Sequence, residues 1–279
     1  MSNLGFHCHD LDALDSVVMG NGLRRTEFYN LPPDDLPRLE RLIRKHNLAW
    51  SIHTPLVQLD WYPNPPTWSY LCDPDGDRRE LTLKMTRMTV EQAEDLGAEY
   101  VVVHLPAPTD HSTPADGQLE DAAKRSCEAL AELSVKRGVP VHVEGVGQTP
   151  LIRGDFLVGL LKEFDPLRYC FDTAHSNLAS QYNDIDMYEL HLALLPYLGS
   201  MHLWNTRDRE DYVKYRHVPV HPSQSAEDGW VDIPRILSAL DSKGDTLPVI
   251  FESEPSYPAD LGGHDYREGV EWVKGLLAT

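Results

Sequence analysis

The chain has 279 residues, with 25 Lys and Arg against 44 Asp and Glu, a formal net charge of −19 with histidines neutral. Hydrophobic residues make up 41% and charged residues 25%, the mix of a folded globular protein, which excludes general disorder and fibrous low-complexity chains. The acidic total argues against a nonspecific polyanion binder, whose affinity comes from Lys and Arg displacing counterions.

The first ten residues are polar and turn acidic, without the basic start and apolar stretch of a signal peptide. No apolar run approaches the roughly 20 residues of a membrane span. The four cysteines, Cys8, Cys72, Cys127 and Cys170, are far apart and form no CxxC pair, so neither a disulfide framework nor a zinc knuckle is expected. These features predict a soluble protein of the reducing cytoplasm.

Short β-branched or aromatic runs then recur along the chain, with longer segments between them, and this alternation predicts parallel βα units. The expected strands are 4–8, 23–29, 49–53, 100–105, 140–146, 167–173, 198–204 and 248–254. Helical spacing follows at 37–46 (Leu39, Leu42, Ile43), at 119–137 (Leu119, Ala123, Leu130, Leu133) and at 234–240, which opens on a proline. Asp35 and Asp155 stand where N-caps are expected. Two connections are long: 54–77, rich in Pro and aromatics, and 205–232, rich in charge and histidine. With no repeat or linker to divide it, the chain is expected to form one domain over 1–279. Eight such units predict a (β/α)8 TIM barrel, an architecture of roughly 250 residues.

The ends of these strands carry the chemistry. A buried parallel strand reads as a continuous apolar run, yet these close on His7, His53, His104, Glu144, Asp172, His202 and Glu252. In a barrel the C-terminal strand ends face one mouth, so these groups converge. Carboxylates and imidazoles gathered in a buried cleft need compensation, which a divalent cation supplies. The mixed nitrogen and oxygen donors suit Zn, Mn, Fe or Co better than Ca or a thiolate site. His142, on the same face as Glu144, and His191 read individually as core histidines satisfied by neighbours. His175 follows Asp172 by three residues and enters the mouth; His217 and His221 lie in the charged loop, where a solvated role competes.

The set Gly5-Phe6-His7, Ser51-Ile52-His53-Thr54-Pro55, Val103-His104, Val143-Glu144-Gly145, Phe171-Asp172-Thr173-Ala174-His175, Met201-His202-Leu203, Gly229-Trp230-Val231-Asp232 and Phe251-Glu252 resembles the xylose-isomerase-like, endonuclease-IV-like superfamily of divalent-metal TIM barrels (AP endonuclease family 2). The resemblance spans nearly the whole chain. It implies that Glu144, Asp172, His202 and Glu252 hold a central metal, one of Zn, Mn, Co, Fe or Mg, with no organic cofactor.

Two branches are implied. In the sugar isomerase and epimerase branch, favoured here, Glu144 and Glu252 also move protons at a carbon next to a carbonyl, His175 orients a substrate hydroxyl and Arg207 contacts a substrate oxygen. In the multinuclear-zinc phosphodiesterase branch, which acts on abasic-site DNA or a small phosphodiester, His53, His104, His175 and His217 become ligands too; a third metal there wants an Asp two residues before His217, where this chain has Tyr215, and His217 with His221 is the pair that would replace it. The basic cluster Arg207, Arg209, Lys214 and Arg216 suits a phosphate or an anionic sugar, so a small carbohydrate partner is expected over nucleic acid. Trp61, Tyr62, Trp68 and Tyr70 follow the third strand. They are expected either to overhang the mouth, with Trp61 and Trp68 against substrate, or to pack on the barrel or on a second copy in a homo-oligomer.

Overall fold

The computed structural model describes residues 3–62, 65, 67–107, 116–240 and 246–278; Pro63 and Pro66 of the aromatic connection lie outside them. Eight parallel strands appear where the sequence places them: β1 (Leu4–Cys8), β2 (Arg25–Phe28), β3 (Ala49–His53), β4 (Val101–His104), β5 (Val141–Glu144), β6 (Leu167–Asp172), β7 (Leu198–Leu203) and β8 (Val249–Phe251). Each pairs with the next, and β8 pairs back with β1, which closes an α/β TIM barrel in strict chain order.

Several strands are shorter than expected, for local reasons. Pro140 and Pro248 have no N–H to give a ladder and stand just before β5 and β8. Leu23 N–H donates to Val18 C=O, closing the turn after the π-helical segment Leu14–Met19, so β2 opens only at Arg25. The helices are α1 (Leu36–His46), α2 (Gly76–Leu96), α3 (Asp116–Arg137), α4 (Gly154–Glu163), α5 (Thr173–Asn183), α6 (Met187–Leu194), α7 (Arg209–Tyr215), α8 (Ile233–Ser238) and α9 (Tyr266–Leu276).

Two capping expectations change. Asp35 precedes α1 but its side chain caps nothing, and Asp155 lies inside the first turn of α4. Among the described residues, the carboxylates that do accept helix N–H groups are Asp75, Asp172, Asp186, Asp208, Asp232 and Asp265. The charged connection 205–232, expected as loop, contains α7, capped by Asp208.

Period-two alternation splits each strand between two environments. One face packs the helices: Val101, Val103, Val141, Val143, Phe171, Met201, Val249 and Phe251 join one core with Leu130 of α3, Leu157 and Leu161 of α4 and Val273 of α9. Each large side chain so buried contributes about 1.5–3 kcal/mol. The opposite face points into the barrel, where Tyr100, Val102 and Cys170 form a separate small cluster. There His142 Nδ1 meets Ser200 Oγ at 2.9 Å and its ring stacks on Tyr100 at 4.2 Å, so this histidine is satisfied in the core. The polar residues that interrupt otherwise apolar strands are therefore the barrel's interior layers.

All four cysteines are free and buried. Burial pushes the Cys8, Cys72 and Cys170 thiols up to about 12 and Cys127 well above its ordinary value. Since the thiolate is the reactive form, an aromatic disulfide reagent at pH 8 is expected to titrate no thiol in the native protein and four after denaturation. A fast-reacting native thiol would contradict this packing.

Candidate metal centre

Parallel register sets the strand-end groups side by side. His104 is paired with Glu144 across β4 and β5, and Asp172 with His202 across β6 and β7. Glu252 follows β8 directly, held by its N–H on Leu203 C=O at 3.1 Å. One donor atom each from Glu144, Asp172, His202 and Glu252 lies within 4.8 Å of the others, and all four residues are buried.

The contacts inside this group are close without being hydrogen bonds. His202 Nδ1 stands 2.9 Å from Glu252 Oε2 and 3.4 Å from Glu144 Oε2. Yet His202 Nδ1, Glu252 Oε2 and both Glu144 oxygens have no hydrogen-bond partner among the described residues. Lone pairs converging without a donor are what a cation requires: ligand atoms about 2.0–2.2 Å from an ion stand roughly 3–4 Å apart. The donor set fits a borderline divalent metal.

Histidine orientation supports the fit. His202 Nε2 faces Glu27 Oε1 at 2.8 Å, and Ser51 Oγ–H donates to Glu27 Oε2 at 2.9 Å. The carboxylate takes the Nε2–H, which leaves Nδ1 as the lone pair at the centre, the carboxylate–histidine–metal arrangement. His104, His53 and His217 are anchored the other way round. Each Nδ1 meets a main-chain carbonyl, of Thr67 (2.7 Å), Thr54 (3.3 Å) and Glu252 (2.8 Å) respectively. A carbonyl can only accept, so in each the Nε2 is the free nitrogen. His53 Nε2 and His104 Nε2 lie 3.5 and 3.7 Å from Glu144 Oε2, and these three residues form a second ligand group that shares Glu144 with the first.

The electrostatics agree. Burial lowers His104 and His7 to about 4 and His175 to about 3, which keeps these imidazoles neutral. For His202 burial works the same way, but Cys170, Glu252, Glu144 and Glu27 outweigh it and hold the group well above its ordinary value. His53 is raised in the same manner, with Glu144 foremost against burial. Burial, followed by the Glu144 and Glu252 charges, pushes Asp172 well above the carboxylate range. Positive charge is thus favoured at this point, and a divalent cation relieves the carboxylate repulsion that the protein leaves there.

Asp172 is fixed by two donors, His175 N–H to Oδ1 and Trp204 Nε1–H to Oδ2, both at 2.6 Å. Trp204 also stacks on His217 at 4.1 Å. A cavity of about 250 Å³ opens on the centre, lined by Trp68, His104, His175, Tyr212, His217 and Glu252 among others. A neighbouring one of about 410 Å³ is lined by His7, Arg216, His217 and Glu252. The histidines and carboxylates that close the strands in the sequence, together with His175 and His217, therefore meet at one mouth.

Arg207, Trp61 and His221 are engaged elsewhere. Arg207 is ion-paired with Asp211 through both Nε and Nη2, and its guanidinium covers the Trp230 ring at 5.2 Å. Trp61 packs against Lys84. His221 sits with His264 and Glu268. Lys214 and Tyr215 bond Asp260, so the position before His217 where a metal-binding Asp would stand turns to the surface.

Glu27, Trp204 and Tyr212 also border the site, and sequence pattern alone does not single them out. The signal for Glu27 is a carboxylate inside a buried parallel strand. Because Glu27 fixes the His202 tautomer, Glu27→Ala is expected to weaken metal affinity by roughly 10–100-fold, read by competition with a chromophoric chelator while circular dichroism stays native. Unchanged affinity would remove this role.

A family model described as xylose isomerase-like TIM barrel matches residues 5–276. Among curated proteins, the chain is 32% identical over 151 residues to a probable endonuclease 4 of Haloarcula marismortui, 52% of this chain and 48% of that one. It is 36% identical over 110 residues, 38% of each chain, to a probable endonuclease 4 of Halobacterium salinarum. The match thus spans about half or less of these relatives' length. Solved structures similar over nearly the whole chain include a D-tagatose 3-epimerase-like protein (TM-score 0.74, 16% identity, 99% of this chain and 97% of that one). An L-ribulose 3-epimerase (0.71, 18%, 100% and 95%) and the TTHB071 protein of Thermus thermophilus soaked with ZnCl2 (0.67, 20%, 100% and 98%) are further examples. At these identities the structures show a shared fold.

Proposed function

We propose, from the premise that the chain belongs to the xylose isomerase-like TIM barrel family, that it is a divalent-metal enzyme that isomerises or epimerises a small sugar, sugar phosphate or polyol by proton transfer at a carbon next to a carbonyl. One observation carries this reading: two buried carboxylates, Glu144 and Glu252, flank His202 with unpartnered oxygens, and Glu252 lines a small-molecule cavity.

A cation held by Glu144, Asp172, His202 and Glu252 would supply Lewis acidity, polarising the substrate carbonyl and stabilising charge that develops beside it. The chain's own groups do the rest. Burial alone would raise both glutamates, but His202 outweighs it, so both are lowered and carry the negative charge a proton acceptor needs. One takes a proton from the carbon and the other returns one. The unpartnered His175 Nδ1 and the free His104 Nε2 face the cavity and orient substrate hydroxyls. Trp68 lines the cavity and offers an aromatic face suited to a sugar ring. Such proton transfer needs no organic cofactor. The whole-chain likeness to epimerase structures supports the reading.

The test is proton nuclear magnetic resonance in D2O with Mn²⁺ or Co²⁺ and a panel of ketoses, aldoses and their phosphates. Loss of the signal at the carbon next to the carbonyl is expected; no exchange with any member overturns the reading.

The second ligand group favours one alternative. His53, His104 and Glu144 suit a second cation, and two ions sharing Glu144 would serve hydrolysis of a small phosphodiester, the direction in which the endonuclease 4 relatives point. Two or more zinc ions at the mouth, with cleavage of an activated phosphodiester, would favour this alternative over the epimerase.

A further inference from the structure

We propose a cation site outside the barrel mouth, formed by His221, His264 and Glu268, that takes Zn²⁺ or a similar borderline divalent ion and pins the connection carrying His217 to the start of α9. It does not depend on the reaction assigned to the mouth. One donor atom from each of the three lies within 4.8 Å of the others. Two imidazoles and a carboxylate are a zinc donor set, with a fourth position left for water on the exposed Glu268 side.

The local structure is shaped to bring these groups together. His221 is only 4% exposed although its loop is rich in charge. The His264 ring stacks on it at 4.1 Å and 12°, with Tyr257 edge-on to both rings at 5.5 and 5.0 Å. His264 folds back because Gly262 and Gly263 adopt φ of +117° and +59°. A Cβ on Gly262 would stand 2.6 Å from His264 Nε2, so a side chain there would push the ring out of the cluster.

Proton placement allows the exchange. Without an ion, His221 Nδ1 accepts from Ser223 N–H at 3.2 Å and Nε2–H donates to Glu268 Oε2 at 3.1 Å. Ser223 Oγ stands 2.7 Å from the same Nδ1. When Zn²⁺ takes the Nε2 lone pair, the ring proton resides on Nδ1 and donates to that hydroxyl. The Ser223 hydroxyl, unlike its N–H, can take either side of that hydrogen bond.

The test compares chelator-stripped protein reloaded with Zn²⁺ and dialysed, by elemental analysis. Wild type is expected to retain one more zinc per chain than His264→Ala, and Glu252→Gln, altered only at the mouth, to retain that ion. Zn²⁺ should also raise the melting temperature of Glu252→Gln by clearly more than that of the Glu252→Gln/His264→Ala double variant. Equal zinc content and affinity in wild type and His264→Ala would overturn the proposal. His264 is partly exposed, so its replacement is compatible with folding.

Discussion

Glu252→Gln is expected to abolish turnover in a protein that folds like the parent. The change is nearly isosteric, and the backbone at this position is held independently by its N–H on Leu203 C=O and by its own C=O on His217 Nδ1. What the amide cannot do is accept a proton at neutral pH or offer an anionic oxygen beside His202 Nδ1, now 2.9 Å away. Loss of a proton-transfer group alone costs on the order of 10²–10⁴ in rate, and weaker cation binding adds to it. The measurement is kcat for solvent exchange or epimerisation, with circular dichroism to confirm the fold. Activity within tenfold of wild type would show that Glu252 is neither base nor ligand.

Removing metal is expected to lower stability by a comparable margin. Glu144, Asp172 and Glu252 converge on one point, and both Glu144 oxygens and Glu252 Oε2 meet no hydrogen-bond donor among the described residues. An ion that binds only the folded state, present at about 100 times its dissociation constant, adds roughly 2.7 kcal/mol. For a chain of this size that is on the order of 5–10 °C in melting temperature. Chelated His264→Ala protein should therefore melt at the lower temperature and recover on adding Mn²⁺, Co²⁺ or Zn²⁺, the variant restricting the readout to the mouth. With Glu252→Gln added, the recovery should shrink by at least half. Identical melting with and without ions would count against a metal centre.

Much of this was legible in the sequence, because the signals are local. Val101, Val102 and Val103 can hardly be other than a buried strand, and a His or Glu closing such a run marks the barrel mouth. The chain order of His53, His104, Glu144, Asp172, His202 and Glu252 then follows strand order. Other features depend on distant partners. Glu27 becomes the anchor of His202 only because β2 and β7 face each other across the barrel interior. His221 meets Glu268, 47 positions later, only once α9 docks beside the charged connection. Arg207 looks like an anion contact in sequence, but α7 places Asp211 one helical turn away, where it captures the guanidinium.

The main-chain carbonyls of Thr54, Thr67 and Glu252 that fix the three mouth histidines carry a further meaning. Every amino acid presents the same carbonyl, so these imidazole tautomers are written into the path of the backbone and not into any neighbouring side chain. Side chains around the opening can change, and with them the shape of the cavity, while the Nε2 atoms that these three histidines present stay as they are. The form of the cavity and the protonation pattern of its histidines are thus set by different parts of the chain, and a designer reshaping the opening should vary the rim while leaving the course of the backbone alone.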